Sequence, residues 1–139
     1  MKSTCTHADH DVWLIDSGAS YHMTPHREWF CEYEKCDGGD VFLGDESATK
    51  IMGHGMVKLL LKHGRIRTLP RVFHIPKLAK SLISIRKLDD ALVDTVLGKG
   101  TCKMIQGEMV LMRGVQCGTL YDFLGRTYTN GCNSSIIHE

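Results

Sequence analysis

Asp16-Ser17-Gly18 is the segment of this chain whose residue types together can do chemistry. It directly follows the apolar run Val12–Ile15, so its carboxylate stands at the end of a strand that we expect to be buried, where a charge is costly without partners. The serine hydroxyl can hydrogen-bond to backbone, and the glycine permits a close backbone approach. Two copies of such a loop can bring two carboxylates together, and these would share one proton. One carboxylate then deprotonates a water while the other protonates a carbonyl oxygen, which is general acid–base hydrolysis of an amide.

The same tripeptide is also a common turn, so the number of copies matters. No second Asp-(Ser/Thr)-Gly occurs: Asp37-Gly38-Gly39 lacks the hydroxyl, and Asp45-Glu46-Ser47 lacks the glycine. With 139 residues, the chain is also too short for a duplicated two-lobed enzyme. A carboxylate pair therefore requires a symmetric homodimer in which Asp16 meets its copy on the two-fold axis.

The composition describes an ordinary globular domain and excludes several classes of protein. Hydrophobic residues make up 42% of the chain and charged residues 24%, with 17 basic and 16 acidic residues giving a net charge of +1. A role driven by net charge at a nucleic acid or a membrane surface is therefore disfavoured. No apolar run approaches the roughly 20 residues that span a bilayer. The local basic cluster is interpreted as a solvated hairpin face without interleaved aromatic residues, so nucleic-acid binding is not expected; it comprises Lys58, Lys62, Arg65, Arg67 and Arg71.

The cysteines and histidines do not form a recognisable metal-binding pattern. The sequence lacks an N-terminal secretory signal, which favours free thiols over disulfides. No Cys-x-x-Cys pair occurs, and the spacing of Cys31 and Cys36 fits no common zinc motif. His22 and His26 are four residues apart, but the intervening Pro25 argues against the regular helix that would align them. We therefore expect neither a metal nor a cofactor.

Short apolar runs separated by Gly- and Asp-bearing turns predict a mostly β fold. We expect a first hairpin between Val41 and Met52, with its tip around Gly44–Ala48, and a second from Met56–Leu61 and Ile66–Ile75. The apolar spacing predicts one short helix near Arg86–Asp90. Further strands are expected over Val12–Ile15, Ser81–Ile85, Val93–Leu97, Thr101–Ile105 and Met109–Arg113. Together these elements indicate a closed or nearly closed barrel with one short helix.

At these residues the chain resembles the retropepsin-like aspartic proteases encoded by Ty1/copia-type retrotransposons. The resemblance is carried by segments that occur in the family's order, namely Trp13–Thr24, Val41–Asp45, Ile51–Gly55, Val72–Pro76 and Ser81–Ile85. Gly118–Tyr121 resembles the stretch that opens the pre-integrase region of these polyproteins. Ser84 stands where retroviral relatives usually carry glycine, although the copia pattern tolerates serine there. A departure from the copia pattern is Asp89-Asp90-Ala91, where copia relatives commonly show a glycine.

The resemblance implies a mostly β, retropepsin-like closed acid-protease barrel that is homodimeric. It implies that Asp16 is the catalytic aspartate, that Ser17 grips the neighbouring subunit's loop, and that Gly18 and Ala19 complete that loop. The hairpin Val41–Met52 resembles the flap, and Gly53–Gly55 is interpreted as a kink in the strand that leaves it. The residues implied to bind substrate are Ala19, then Leu43, Gly44, Asp45, Glu46 and Ser47 in the flap, and Leu82, Ile83 and Ser84 beside the catalytic loop.

The resemblance also implies a domain organisation and a function. Residues 1–11 are expected to be a flexible leader, 12–115 the protease domain, and 116–139 an extension resembling the start of the pre-integrase region. The implied function is an aspartic endopeptidase that processes a Gag-Pol-type polyprotein bound in extended conformation. The expected location is the cytoplasm, including virus-like particles. No membrane partner is expected, because the sequence has no apolar run long enough to span a bilayer. Two alternatives stay open: a catalytically inactive barrel serving as a binding or assembly module, and a small Cys/His metal-binding protein.

Overall fold

The computed structural model describes residues 11–36, 40–42 and 48–129. These residues divide into two compact units. Unit 1 contains residues 11–22 and 80–126, and unit 2 contains the described residues between 23 and 79 together with 127–129. None of the described helices is long and apolar enough to cross a membrane.

The strands, in chain order, are β1 (Trp13–Asp16), β2 (His22–Thr24), β3 (Phe30–Lys35), β4 (Asp40–Phe42), β5 (Ala48–Lys50), β6 (Gly53–Leu61), β7 (Ile66–His74), β8 (Ser81–Ser84), β9 (Asp94–Gly98), β10 (Thr101–Gln106), β11 (Met109–Cys117), β12 (Leu120–Phe123) and β13 (Gly125–Thr127). A 3-10 helix covers Arg27–Trp29, and the α-helix α1 covers Ile85–Asp90. The predicted mostly β fold with one short helix is therefore confirmed for the described part of the chain.

Unit 1 is built on a sheet whose strand order is β8-β1-β12-β11-β10-β9. β1 and β8 run parallel, and the remaining neighbours run antiparallel. β1 has a strand on each side, so its backbone is paired at both edges. Its apolar run Trp13-Leu14-Ile15 is buried at 0–3% exposure, as is typical of strands covered on both faces. Ile83, Cys102 and Met104 complete this core without any exposed surface.

Helix α1 begins because Ser84 caps it. The Ser84 side chain accepts a hydrogen bond from the Lys87 backbone N–H at 3.1 Å, with Ser84 itself in extended conformation, the usual geometry of an N-cap serine. The helix buries Leu88. It ends before Leu92, whose φ of 66° lies in the left-handed region and cannot continue a right-handed helix.

Unit 2 is built on the antiparallel strands β3, β6 and β7, with β6 between the other two. The β6–β7 pairing shifts register between Gly55 and Val57, which marks a bulge. A Cβ atom on Gly55 would run into the backbone carbonyl of Glu32, so this close approach of strands requires glycine. β4 and β5 form a separate antiparallel pair, which gives the two arms of the first predicted hairpin.

The prediction of a closed barrel is wrong for the described residues. At one end of the described sheet, β9 pairs with β10 alone. This end meets no further described strand, so the sheet stays open. The expected domain boundary after residue 115 falls inside β11, which continues to Cys117.

The cysteines follow the expectation in part. Cys31, Cys36 and Cys102 are free thiols, as the sequence predicts. Cys117 is disulfide-bonded, so the expectation of free thiols is wrong at that position. Burial raises the pKa of the Cys102 thiol to about 11, which keeps it protonated and unreactive near neutral pH.

Candidate functional site

Asp16 is the last residue of β1 and stands beside the last residue of β8. The parallel register pairs Leu14 with Leu82, Ile15 with Ile83 and Asp16 with Ser84. Because the two strands run parallel, their carboxyl ends meet at one edge of the sheet. The structure therefore brings the Asp16 loop together with the segment Leu82–Ser84. Asp16 and Leu82 are 66 residues apart in the sequence.

The loop after β1 folds back on the Asp16 side chain. The Gly18 backbone N–H donates a hydrogen bond to Asp16 Oδ1 at 2.8 Å, which is an Asx-type turn. Asp16 is partly exposed, and Ser17 and Gly18 are exposed. A Cβ atom on Gly18 would lie 3.3 Å from Asp16 Oδ1, so the glycine leaves room for this turn. One carboxylate oxygen is thus oriented by the loop itself, and the group remains open to solvent.

Ser84 ties this loop to the start of helix α1. Its Oγ donates to the carbonyl oxygen of Ala19 at 2.8 Å and accepts from the Lys87 N–H at 3.1 Å. Both Ser84, at 0% exposure, and Ala19, at 5%, are buried. Ser84 therefore has a definite structural role in holding the loop to the helix, which sequence reasoning did not predict.

His22 is a residue of this site that sequence reasoning missed. Its Nδ1 accepts a hydrogen bond from the Ser84 backbone N–H at 3.0 Å, and the side chain is 3% exposed. Burial, with a smaller contribution from the Lys87 ammonium, lowers the pKa of His22 to about 4. The ring is therefore neutral near pH 7, and since Nδ1 accepts, its proton lies on Nε2. A single sequence offers no signal for this role, because the partner is 62 residues away.

An open cavity of about 530 Å³ lies next to the loop on the Ser17 side. It is lined by Ser17, Ile85, Arg86, Asp89, Val93, Asp94 and Thr95. The lining mixes one guanidinium with two carboxylates, and all of these residues belong to unit 1. The Asp16 loop is thus bordered by a depression large enough for several peptide atoms.

The remaining expected site residues lie in the flap. Leu43, Gly44, Asp45, Glu46 and Ser47 fall outside the described residues. The strands on either side of them are paired in the register Asp40–Lys50, Val41–Thr49 and Phe42–Ala48. The described residues contain no group of three or more His, Cys, Asp or Glu side chains that could hold a metal ion.

The chain is similar to retrotransposon polyproteins of plants. It is 36% identical over 124 residues to the retrovirus-related Pol polyprotein from transposon TNT 1-94 of Nicotiana tabacum, an alignment covering 89% of this chain and 9% of that protein. It is 34% identical over 80 residues to the corresponding polyprotein from transposon RE1 of Arabidopsis thaliana, covering 57% of this chain and 5% of that protein. The chain thus spans less than a tenth of the length of these curated relatives. No solved structure matches significantly.

A family profile locates the similarity within the polyprotein. The profile described as "Pol polyprotein, beta-barrel domain" matches residues 13–93. This segment begins with β1 and includes the Asp16 loop, β8, Ser84 and helix α1. The retrotransposon part of the sequence resemblance is therefore confirmed, and the chain belongs to the family of Pol polyprotein beta-barrel domains.

Proposed function

We propose that this domain is an aspartic endopeptidase that processes a retrotransposon Pol-type polyprotein. The observation that carries the proposal is the position of Asp16, partly exposed at the carboxyl end of β1, with Oδ1 oriented by Gly18 and with Ser84 beside it in the parallel register. A carboxylate that is held by a tight turn and is open to solvent is suited to activating a water molecule. The membership in the Pol polyprotein family supports the same assignment.

One chain supplies only half of the proposed catalytic pair. Asp16-Ser17-Gly18 is the only segment of its type in the sequence, so the second carboxylate comes from a second copy of the chain. The two Asp16 side chains share one proton, because two carboxylates in contact do not both ionise. One of them removes a proton from the attacking water, and the other protonates the carbonyl oxygen of the scissile peptide bond. Ser17, exposed next to Asp16, is the residue that hydrogen-bonds across the dimer axis.

The proposed substrate is an extended segment of the polyprotein itself. The relatives are polyproteins more than ten times as long as the aligned segment, and an extended peptide can pair with free strand edges through its backbone. The paired arms β4 and β5 support a flap over such a segment. The residues between the arms, Leu43–Ser47, keep their proposed role in substrate binding, as do Ala19 and Leu82–Ser84.

Peptidase activity tests this proposal directly. The substrate is a longer polyprotein fragment that carries Asp16→Asn and cannot cleave itself, incubated with the purified chain at mildly acidic pH. We expect cleavage that a statine-type transition-state analogue blocks and that Asp16→Asn in the enzyme lowers on the order of 10³-fold or more. Glu108→Gln, an equal change of charge in the exposed turn between β10 and β11, should leave cleavage unchanged. Activity that survives both the inhibitor and Asp16→Asn would refute the assignment.

The dimer has its own test. Specific activity should fall on dilution through the dimer dissociation constant, because the monomer holds half of a site. Ser17→Ala should move this fall to higher protein concentration. Sedimentation of the same samples gives the oligomeric state. A strictly monomeric chain with full activity would overturn the proposed carboxylate pair.

A second candidate function is a catalytically inactive binding or assembly module. The observation in its favour is β9, whose side chains are largely exposed, including Val96 at 51% and Leu97 at 56%. Within the described sheet of unit 1, β9 pairs with β10 alone, and such an edge can accept a strand from a partner. Binding of polyprotein fragments that is the same for the chain and for Asp16→Asn, without cleavage, would favour this function.

A further inference from the structure

We propose that His22 is a positioning residue that acts through Ser84 to fix the orientation of the Asp16 carboxylate. The catalytic consequence rests on the proposed peptidase function. The structural consequence, a fixed Asp16–Gly18 turn, stands independently of that function. The hydrogen bond of His22 goes to Ser84 and not to Asp16, so its effect on the Asp16 carboxylate is relayed.

The first step of the relay is the backbone amide of Ser84. Ser84 is the last residue of β8 and the N-cap of α1, so its amide lies where the ladder ends and the helix begins. The amide is buried and donates to His22 Nδ1 at 3.0 Å. A buried N–H without an acceptor is unfavourable, so the ring nitrogen holds Ser84 in this position.

The second step is the hydroxyl of Ser84. Its Oγ reaches the carbonyl oxygen of Ala19 at 2.8 Å, three residues after Asp16. At the other end of the loop, Asp16 is fixed beside Ser84 by the β1–β8 register. The loop Asp16–Ala19 is therefore held at both ends by one residue, and the Gly18 N–H is directed at Asp16 Oδ1 as a result.

The relay requires an acceptor at one particular ring atom. The Ser84 amide donates to the ring atom Nδ1, so a replacement must offer an acceptor at the same distance from the Cβ atom. Asparagine does so, because its Oδ1 can take the place of Nδ1. Glutamine carries its acceptor one bond farther out, near the position of Nε2. The low pKa of His22 agrees with this role, since a protonated ring cannot accept.

The test compares His22→Asn, His22→Gln and His22→Leu with the unchanged protein. Amide proton shifts of Ser84 and Gly18 in two-dimensional NMR report the two hydrogen bonds, and kcat and KM are measured on the polyprotein fragment. We expect His22→Asn to keep both shifts and most of kcat. We expect His22→Gln and His22→Leu to lose the Ser84 hydrogen bond, to shift Gly18, and to lower kcat by about 10- to 100-fold with KM little changed, as for a misplaced catalytic group.

Each outcome decides the proposal. A Gly18 shift that is the same in all the variants would show that His22 does not position the turn, and equal kcat in Asn and Gln would show that the acceptor position is irrelevant. If His22→Leu fails to fold, the Asn–Gln pair carries the comparison. If the unchanged protein has no peptidase activity, the proposed function fails, while the Ser84 and Gly18 shifts still decide the positioning role.

Discussion

Each unit contains a buried histidine that forms a hydrogen bond through Nδ1, but the two rings bind different kinds of partner. His22 in unit 1 has its Nδ1 bound to the backbone amide of Ser84 at 3.0 Å. His74 in unit 2 has its Nδ1 in a hydrogen bond with the Tyr33 hydroxyl at 2.7 Å. Burial lowers the pKa of both rings, to about 4 for His22, with nearby cations acting in the same direction.

The difference lies in what surrounds the hydrogen bond. The Tyr33–His74 contact is one of several among side chains, because both rings also pack edge-on against Phe30, at centroid distances of 5.1 and 6.0 Å. The Arg27 guanidinium lies 3.6 Å from the centre of the Tyr33 ring. The His22 contact instead satisfies the backbone N–H of Ser84, which every replacement of Ser84 except proline would retain. The stability of the region around His22 therefore depends on one hydrogen-bond acceptor. The stability of the region around His74 depends on several side chains that pack together.

The largest expected effect is acid destabilisation through His22. As pH falls below about 6.5, the unfolded chain binds a proton at His22, whereas the folded chain binds it only near pH 4, so stability is present above pH 6.5 and is lost on the way to pH 4. Over this pH interval the free energy of unfolding should fall by about 3 kcal/mol. Urea unfolding at pH 7.5, 6, 5 and 4.5 measures it. His22→Asn should flatten this part of the profile, and His74→Asn should flatten it less.

An unchanged slope in His22→Asn would contradict the buried, neutral His22. The same pH dependence limits the proposed enzyme. The shared proton of the two carboxylates requires acidic pH for activity, whereas the neutral His22 ring makes the fold more stable at neutral pH. We therefore expect activity to be lost through unfolding on the acid side, at a pH that His22→Asn moves downward.

The next effect in size is that of Ser84→Ala. This change removes the helix cap, worth about 1 kcal/mol, and leaves the buried Ala19 carbonyl without its donor, at about 1 kcal/mol more. The Ser84 amide and its contact with His22 remain. Thermal and urea unfolding should show a loss of about 2 kcal/mol. Thr101→Ala is the matched control, because its hydroxyl bonds to the Gly98 carbonyl at an exposed site and should cost little. Equal losses for both variants would argue against the role of Ser84.

How much of this site the sequence predicts depends on how far apart in the sequence the interacting residues lie. The Asp16 turn, the hairpin arms and α1 follow from local patterns of apolar and turn residues, and these agree with the structure. The short strands β2 and β3 were not predicted, because His22–Thr24 and Phe30–Lys35 show no clear alternation. Barrel closure is a property of which end strands pair, and no local pattern encodes it. The His22–Ser84 bond spans 62 residues, and neither residue alone indicates the other.

The smallest effect is expected for Tyr33→Phe in unit 2. The change removes the hydroxyl that meets His74 and keeps the ring that packs against Phe30 and Arg27. Tyr33 is only partly buried and lines an open cavity of about 520 Å³, so we expect a loss no larger than that of one ordinary hydrogen bond, about 1 kcal/mol or less. Urea unfolding at pH 7.5 measures it beside His22→Gln, which leaves a buried amide without its acceptor and should cost more. If Tyr33→Phe proves as costly as His22→Gln, the two histidines are equally dependent on one bond, and the contrast between the two units does not hold.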